Sequence, residues 1–160
     1  VAIEKAHALT GKTILILDHN APNRAILVTL GRHWGMKTVV FDCSPRAYGW
    51  MCTDATAAGV NVAPLDYHMP GMDGPEASRW ILQMNLQYCP HIAALTANVI
   101  AEDRAACIAA RMEDFLTKPL LMRVLRAFLD ARVAVKMRSA HIADDVRGYY
   151  PARQASFTKP

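Results

Sequence analysis

Five alternations of a short aliphatic run with a longer amphipathic segment predict a doubly wound α/β domain: one parallel sheet covered by helices on both faces. Three observations carry that reading. The runs are short and rich in Val, Ile and Leu; the segments between them place apolar residues at helical spacing; and the connections are brief. Parallel strands need crossovers between them, and a sheet buried on two faces needs a helical layer on each.

The first run is Thr13 to Leu17. Asn20 and Pro22 suit a helix cap and first turn, and Ile26, Leu27, Leu30 and Trp34 then recur at helical spacing. Thr38 to Phe41 is the second run, with Ser44 and Pro45 expected as cap and first helical residue and Gly59 as the stop of the following helix. Val60 to Leu65 is the third, and Pro75 opens a segment whose Ala77, Trp80, Ile81 and Met84 lie on one face. Ile92 to Leu95 and Phe115 to Leu116 are the centres of two more strands. A helix follows each, the last with Leu121, Val124, Leu125, Phe128 and Leu129 on its apolar face.

The chain has 160 residues, 52% of them apolar and 20% charged, as in an ordinary globular protein. No apolar run approaches the roughly 20 residues needed to cross a bilayer, and no signal-peptide pattern opens the chain, so a cytoplasmic location is expected, including that of the cytoplasmic part of a membrane-bound sensor. The first residue is Val, and residues 1–10 read as a linker, as in a segment of a longer polypeptide. Residues 11–132 form the expected domain and 133–160 a basic tail or linker. The net charge of +4 gathers near that tail, where Arg132, Lys136, Arg138, Arg147, Arg153 and Lys159 outnumber Asp144 and Asp145. A solvated tail, rather than a nucleic-acid surface, is the expectation. Cys43, Cys52, Cys89 and Cys107 lack metal-site spacing and read as reduced thiols.

In doubly wound sheets ligands bind beyond the carboxyl ends of the strands. Standing there are Asp18 and His19 after strand one, Asp66 after strand three, Thr96 after strand four and Lys118 after strand five. Two carboxylates at one mouth repel unless a cation lies between them, and hard oxygen donors suit Mg²⁺. A lysine and a cation would offset the negative charge of a phosphoryl group moving onto a carboxylate, while a hydroxyl such as that of Thr96 would hydrogen-bond it and report the change.

The segments LILDHN, LDYHMPGMDG, ALTAN and DFLTKP stand in the order and spacing of receiver domains of response regulators and hybrid histidine kinases, and the chain resembles that family over about residues 11 to 130. The stretch from Gly11 through DHNAPNRAIL to Trp34–Met36 resembles most the receivers inside hybrid kinases. The resemblance implies a flavodoxin-like sheet in strand order 2-1-3-4-5 and self-catalysed phosphorylation of Asp66 by phosphohistidine. It implies Mg²⁺ on Asp18, Asp66 and the backbone carbonyl of His68. Thr96 and Lys118 become phosphate contacts, and Thr96 and Phe115 the switch pair. The implied partners are a histidine kinase or histidine phosphotransfer domain and a downstream protein docking on helix 4, strand 5 and helix 5. Asp73 reads as a turn or cap residue, and His33 and His91 as structural.

The chain departs from the family pattern at three places. His19 stands where receivers carry a second acid, so weaker Mg²⁺ binding is expected; His19, Asp66 and His68 as a Mn²⁺ or Zn²⁺ site is the alternative to solvent-facing histidines. Pro64 lies within the third strand, where distortion beside Asp66 is expected. Arg111 occupies a turn where the family has glycine, at a cost on the order of 1 kcal/mol if φ is positive. The competing function is a degenerate pseudo-receiver, a docking module independent of phosphorylation.

Overall fold

The computed structural model describes residues 8–84, 88–133 and 138–139. Five strands form the main sheet: β1 (Thr13–Leu17), β2 (Lys37–Phe41), β3 (Val60–Asp66), β4 (His91–Thr96) and β5 (Asp114–Thr117). All neighbouring pairs are parallel, and the spatial order is 2-1-3-4-5. The crossovers contain α1 (Ala21–His33), α2 (Ser44–Thr53), α3 (Gly74–Gln83) and α4 (Ala101–Ala109), and α5 (Met122–Val133) follows the last strand.

Side chains alternate across the sheet and divide the core in two. Leu15, Leu17, Ala63 and Leu65 pack with Met51, Ile81 and Cys107 of α2, α3 and α4. Ile14, Ile16, Val62 and Leu95 pack with Leu27 of α1 and Leu125, Phe128 and Leu129 of α5. This two-sided burial explains why the inner strands read as continuous apolar runs. Leu121 and Val124, expected on the apolar face of α5, are instead exposed; Leu121 precedes the helix, and the buried stripe is narrower than the sequence spacing suggests.

Local signals set most helix starts. Asn20 caps α1 by accepting the Asn23 amide, and Asp73 caps α3 by accepting the Glu76 amide. The expected cap of α2 is corrected: Cys43 is the cap residue, and the buried Ser44 hydroxyl donates to the Met72 carbonyl across the fold. Gly59 does not end α2 either, because α2 stops at Thr53 and a 3₁₀ turn, Ala55–Gly59, leads into β3. Arg111 has φ 61°, the left-handed conformation expected of its turn.

Pro64 pairs with Ala93 in the middle of the sheet. The register irregularity of β3 lies at its opposite end, where Thr13 and Ile14 face Val60 and Val62 and the Thr13 amide donates to Asn61 Oδ1. The expected distortion beside Asp66 is not seen as a register shift: pairing with β4 runs unbroken from Val62 through Pro64 to Asp66. Leu9, inside the segment expected as a linker, is fully buried in the α1–α5 core. Residues 1–7 lie outside the described residues, as does most of the expected basic tail. From that tail, Arg138–Ser139 pairs antiparallel with Tyr88–Cys89.

Candidate functional site

The strand register brings the sequence candidates to one end of the sheet. Asp66 is the last residue of β3 and pairs with Leu95, and the next amide, of Tyr67, donates to the Leu95 carbonyl. Thr96 ends β4 beside Thr117, and the Lys118 amide donates to the Thr96 carbonyl. Asp18 follows β1 with its amide on the Phe41 carbonyl. Asp18 and Asp66 are 0% and 2% exposed, so two carboxylates are buried at one mouth.

Such a pair needs positive charge. Lys118 supplies it: Nζ lies 2.9 Å from Asp66 Oδ1 and 3.1 Å from Asp18 Oδ2. Burial pushes the Asp18 carboxyl above the ordinary carboxylate range; the Asn20 amide pulls it down, the Asp66 charge pushes it up, and Lys118 pulls it down. Asp18 Oδ1 accepts the Asn20 amide at 2.8 Å and Oδ2 the Asn23 side-chain amide at 3.3 Å. The His68 amide donates to Asp66 Oδ1 at 3.3 Å.

His19 is the main surprise. Its side chain is 47% exposed, as expected of a solvent-facing histidine, yet Nδ1 is also hydrogen-bonded to Asp66 Oδ2, the pairing named as the alternative. The residue stands two positions beyond β1, so its ring reaches the β3 end once the two strands pair in register. His68 is exposed, with its ring edge-on to Tyr67. Thr96 is 3% exposed, and its hydroxyl donates to the Asn98 carbonyl at 2.7 Å. Phe115 is half-buried against the α2–α4 core, with the Arg104 guanidinium 5.2 Å from its ring centroid. Asp73 is the α3 cap, away from the carboxylate pair's hydrogen bonds.

Sequence reasoning missed Arg24. From the first turn of α1 its guanidinium donates to the carbonyls of Asp18 and His19, both at 2.9 Å, and so holds the loop that presents them. Nothing in its spacing distinguishes it from a solvated arginine. The four cysteines form no disulfide. The peptide Lys118–Pro119 is cis.

Asp18, His19 and Asp66 each offer a donor atom, all within 4.8 Å of one another. The two carboxylates fit a hard divalent cation such as Mg²⁺, with the imidazole as the one soft member of the set. Beside them a cavity of about 70 Å³ is bordered by Asn23, Leu95, Lys118 and Pro119. A small anionic group entering there would meet the Lys118 ammonium beside the buried carboxylates.

Known proteins share this arrangement of strands. The chain is 31% identical over 116 residues to the sensor histidine kinase GacS of Pseudomonas protegens and 30% identical to the sensor protein GacS of Pseudomonas syringae pv. syringae, in each case over 70% of this chain and 12% of the kinase. It thus spans a small part of those relatives. Among solved structures it resembles the receiver domain of the sensor histidine kinase PA1611 of Pseudomonas aeruginosa PAO1, which holds a magnesium ion in its active-site cleft: TM-score 0.68, 26% identity, 79% of this chain and 100% of that one. The fold also matches a co-crystal structure of the Saccharomyces cerevisiae phosphotransfer protein Ypd1 with the receiver domain of Ssk1, with TM-score 0.67, 21% identity, and coverage of 78% and 90%. The family model for the response regulator receiver domain matches residues 14–130, most of the chain and all five strands. With the sheet order, the buried carboxylates and the strand-end lysine already in place, this chain belongs to the response regulator receiver domain family.

Proposed function

We propose that this receiver domain of a phosphorelay accepts a phosphoryl group on Asp66 from phosphohistidine and thereby switches a protein-docking surface. The observation that carries the reading is the buried Asp66 carboxylate, at the mouth of the sheet, with the Lys118 ammonium 2.9 Å away. In the transfer an Asp66 oxygen forms a P–O bond as the P–N bond to the donor imidazole breaks, and the departing imidazole takes a proton from solvent. Lys118 offsets charge on the phosphoryl oxygens. A divalent cation on Asp18, Asp66 and the His68 backbone carbonyl, Mg²⁺ or in its place Mn²⁺, supplies further positive charge when bound.

Thr96 leaves its bond to Asn98 to meet a phosphoryl oxygen, and Phe115 repacks with it. The source of the phosphoryl group is a histidine kinase or histidine phosphotransfer domain, for which Ile26, exposed at the cavity, and Leu121, exposed one residue beyond its Leu120 wall, offer apolar contact. The output surface is formed by α4, β5 and α5, where Ile108 and Met122 are exposed. The unit closes at about residue 132, with 133–160 as a basic linker, and acts on the cytoplasmic side of a larger kinase.

The test is intact-mass measurement after incubation with acetyl phosphate and Mg²⁺. Wild type gains the mass of one phosphoryl group and Asp66→Ala gains none. Absence of an Asp66-dependent gain in Mg²⁺ and in Mn²⁺ would overturn phosphoacceptance in favour of a docking module.

A further inference from the structure

We infer that His19 turns the cation site of this receiver into a mixed nitrogen–oxygen site that takes a borderline first-row transition ion, of the Co²⁺ type, in preference to Mg²⁺. The inference rests on the reading of Asp18 and Asp66 as cation ligands and adds a selectivity to it.

The four carboxylate oxygens of Asp18 and Asp66 divide into two pairs. Lys118 takes Asp18 Oδ2 and Asp66 Oδ1, at 3.1 and 2.9 Å. The other two oxygens, Asp18 Oδ1 and Asp66 Oδ2, are those that His19 Nδ1 faces: it is 4.0 Å from the first and hydrogen-bonded to the second. A cation on the side of the carboxylates away from Lys118 therefore meets two oxygens and one imidazole nitrogen. The three residues hold donor atoms within 4.8 Å of one another. Metal–ligand bonds of about 2.1 Å place neighbouring donors about 3 to 3.5 Å apart, so the set closes on an ion by side-chain movement, with His19 Nδ1 leaving Asp66 Oδ2 for the metal.

The chemistry of that set then decides the ion. Mg²⁺ demands hard oxygen donors, loses water reluctantly and gains little from imidazole, whereas Co²⁺, Ni²⁺ and Zn²⁺ bind imidazole well and stand above Mn²⁺ in affinity for nitrogen–oxygen sites. His19 also brings no negative charge, so the site attracts Mg²⁺ less than a set of three carboxylates does. The loop is held for this role: Arg24 fixes the carbonyls of both Asp18 and His19. Partial exposure of His19 leaves its ring room to move from Asp66 onto an ion.

The experiment is calorimetric titration of the chelator-treated full chain with Mg²⁺ and with Co²⁺, the latter also followed by visible absorption, in wild type, His19→Asp, His19→Ala and Asp66→Asn. Wild type is expected to prefer Co²⁺. Removing the imidazole lowers Co²⁺ affinity by about tenfold or more in His19→Ala. His19→Asp tightens Mg²⁺ and reduces the Co²⁺-to-Mg²⁺ preference by a similar factor, and Asp66→Asn weakens both ions. Equal ion preference in wild type and His19→Asp, or full Co²⁺ affinity in His19→Ala, overturns the inference. No phosphodonor is present, so the outcome is separate from that of the mass assay. A retained Co²⁺ preference without phosphorylation overturns only phosphoacceptance, and phosphorylation with an unchanged ion ratio overturns only the selectivity.

Discussion

Both oxygens of the Asp66 carboxylate are engaged, Oδ1 by Lys118 and the His68 amide and Oδ2 by His19. Asp18, by contrast, is held between opposing influences, of which burial is the largest. Its folded-state pKa lies above the unfolded value. Stability from this group is therefore present in full below the ordinary carboxylate range and is lost as pH rises through the raised value. Without divalent ions this group therefore gives the fold less stability at neutral pH than at acid pH. Asp18→Asn is expected to raise Tm at pH 7 in chelator by on the order of a few degrees, a gain that shrinks as the pH approaches the ordinary carboxylate range. Addition of a saturating divalent cation narrows or reverses the difference, because only wild type keeps both carboxylate ligands. Scanning fluorimetry across pH, with and without the ion, measures each part; an Asp18→Asn variant less stable than wild type in chelator at pH 7 would contradict the sign.

At the scale of elements, the start of α3 shows how closely a helix is pressed on the acceptor. A Cβ at Gly74 would lie 2.6 Å from the Asp66 carbonyl oxygen and 3.0 Å from Tyr67 Cα, both backbone atoms with little freedom to retreat. Gly74→Ala is expected to cost about 1–3 kcal/mol in urea unfolding and to slow phosphorylation by displacing the acceptor loop; unchanged values for both would show that the helix start yields easily. The caps illustrate what local sequence discloses. Asn20 and Asp73 were legible because each bonds an amide three residues on. Ser44 was misleading because its hydroxyl serves Met72, a partner 28 residues away. Arg111 was legible as a positive-φ position through the family pattern, although its side chain is not the one that conformation favours. The place of His19 at the mouth was legible from its position after β1, but its hydrogen bond to Asp66 exists only after β1 and β3 are in register.

For the whole molecule, the periodicity of the sequence disclosed a sheet with a helical layer on each face, and the motifs at the strand ends disclosed Asp18, Asp66, Thr96 and Lys118. The outer limit of the fold was less visible. Residues 1–10 contain only scattered apolar side chains, and without a period to read, a buried anchor looks like a linker. Leu9 is nevertheless fully buried with Ile14, Leu27 and Met36, and the chain around it is tied down by the Lys12 amide on the Leu9 carbonyl and the Gly11 amide on the Gly35 carbonyl. A large aliphatic side chain at this depth contributes as other core leucines do, so Leu9→Ala should lower unfolding free energy by about 2–5 kcal/mol. A chain beginning at Gly11 should lose a comparable amount, whereas one beginning at Ala8 keeps the anchor and its hydrogen bonds. Comparing the urea midpoints of these three with the full chain measures how far the cooperative unit extends. If the chain beginning at Gly11 unfolds at the same midpoint as the one beginning at Ala8, Leu9 lies outside that unit and the domain starts at β1.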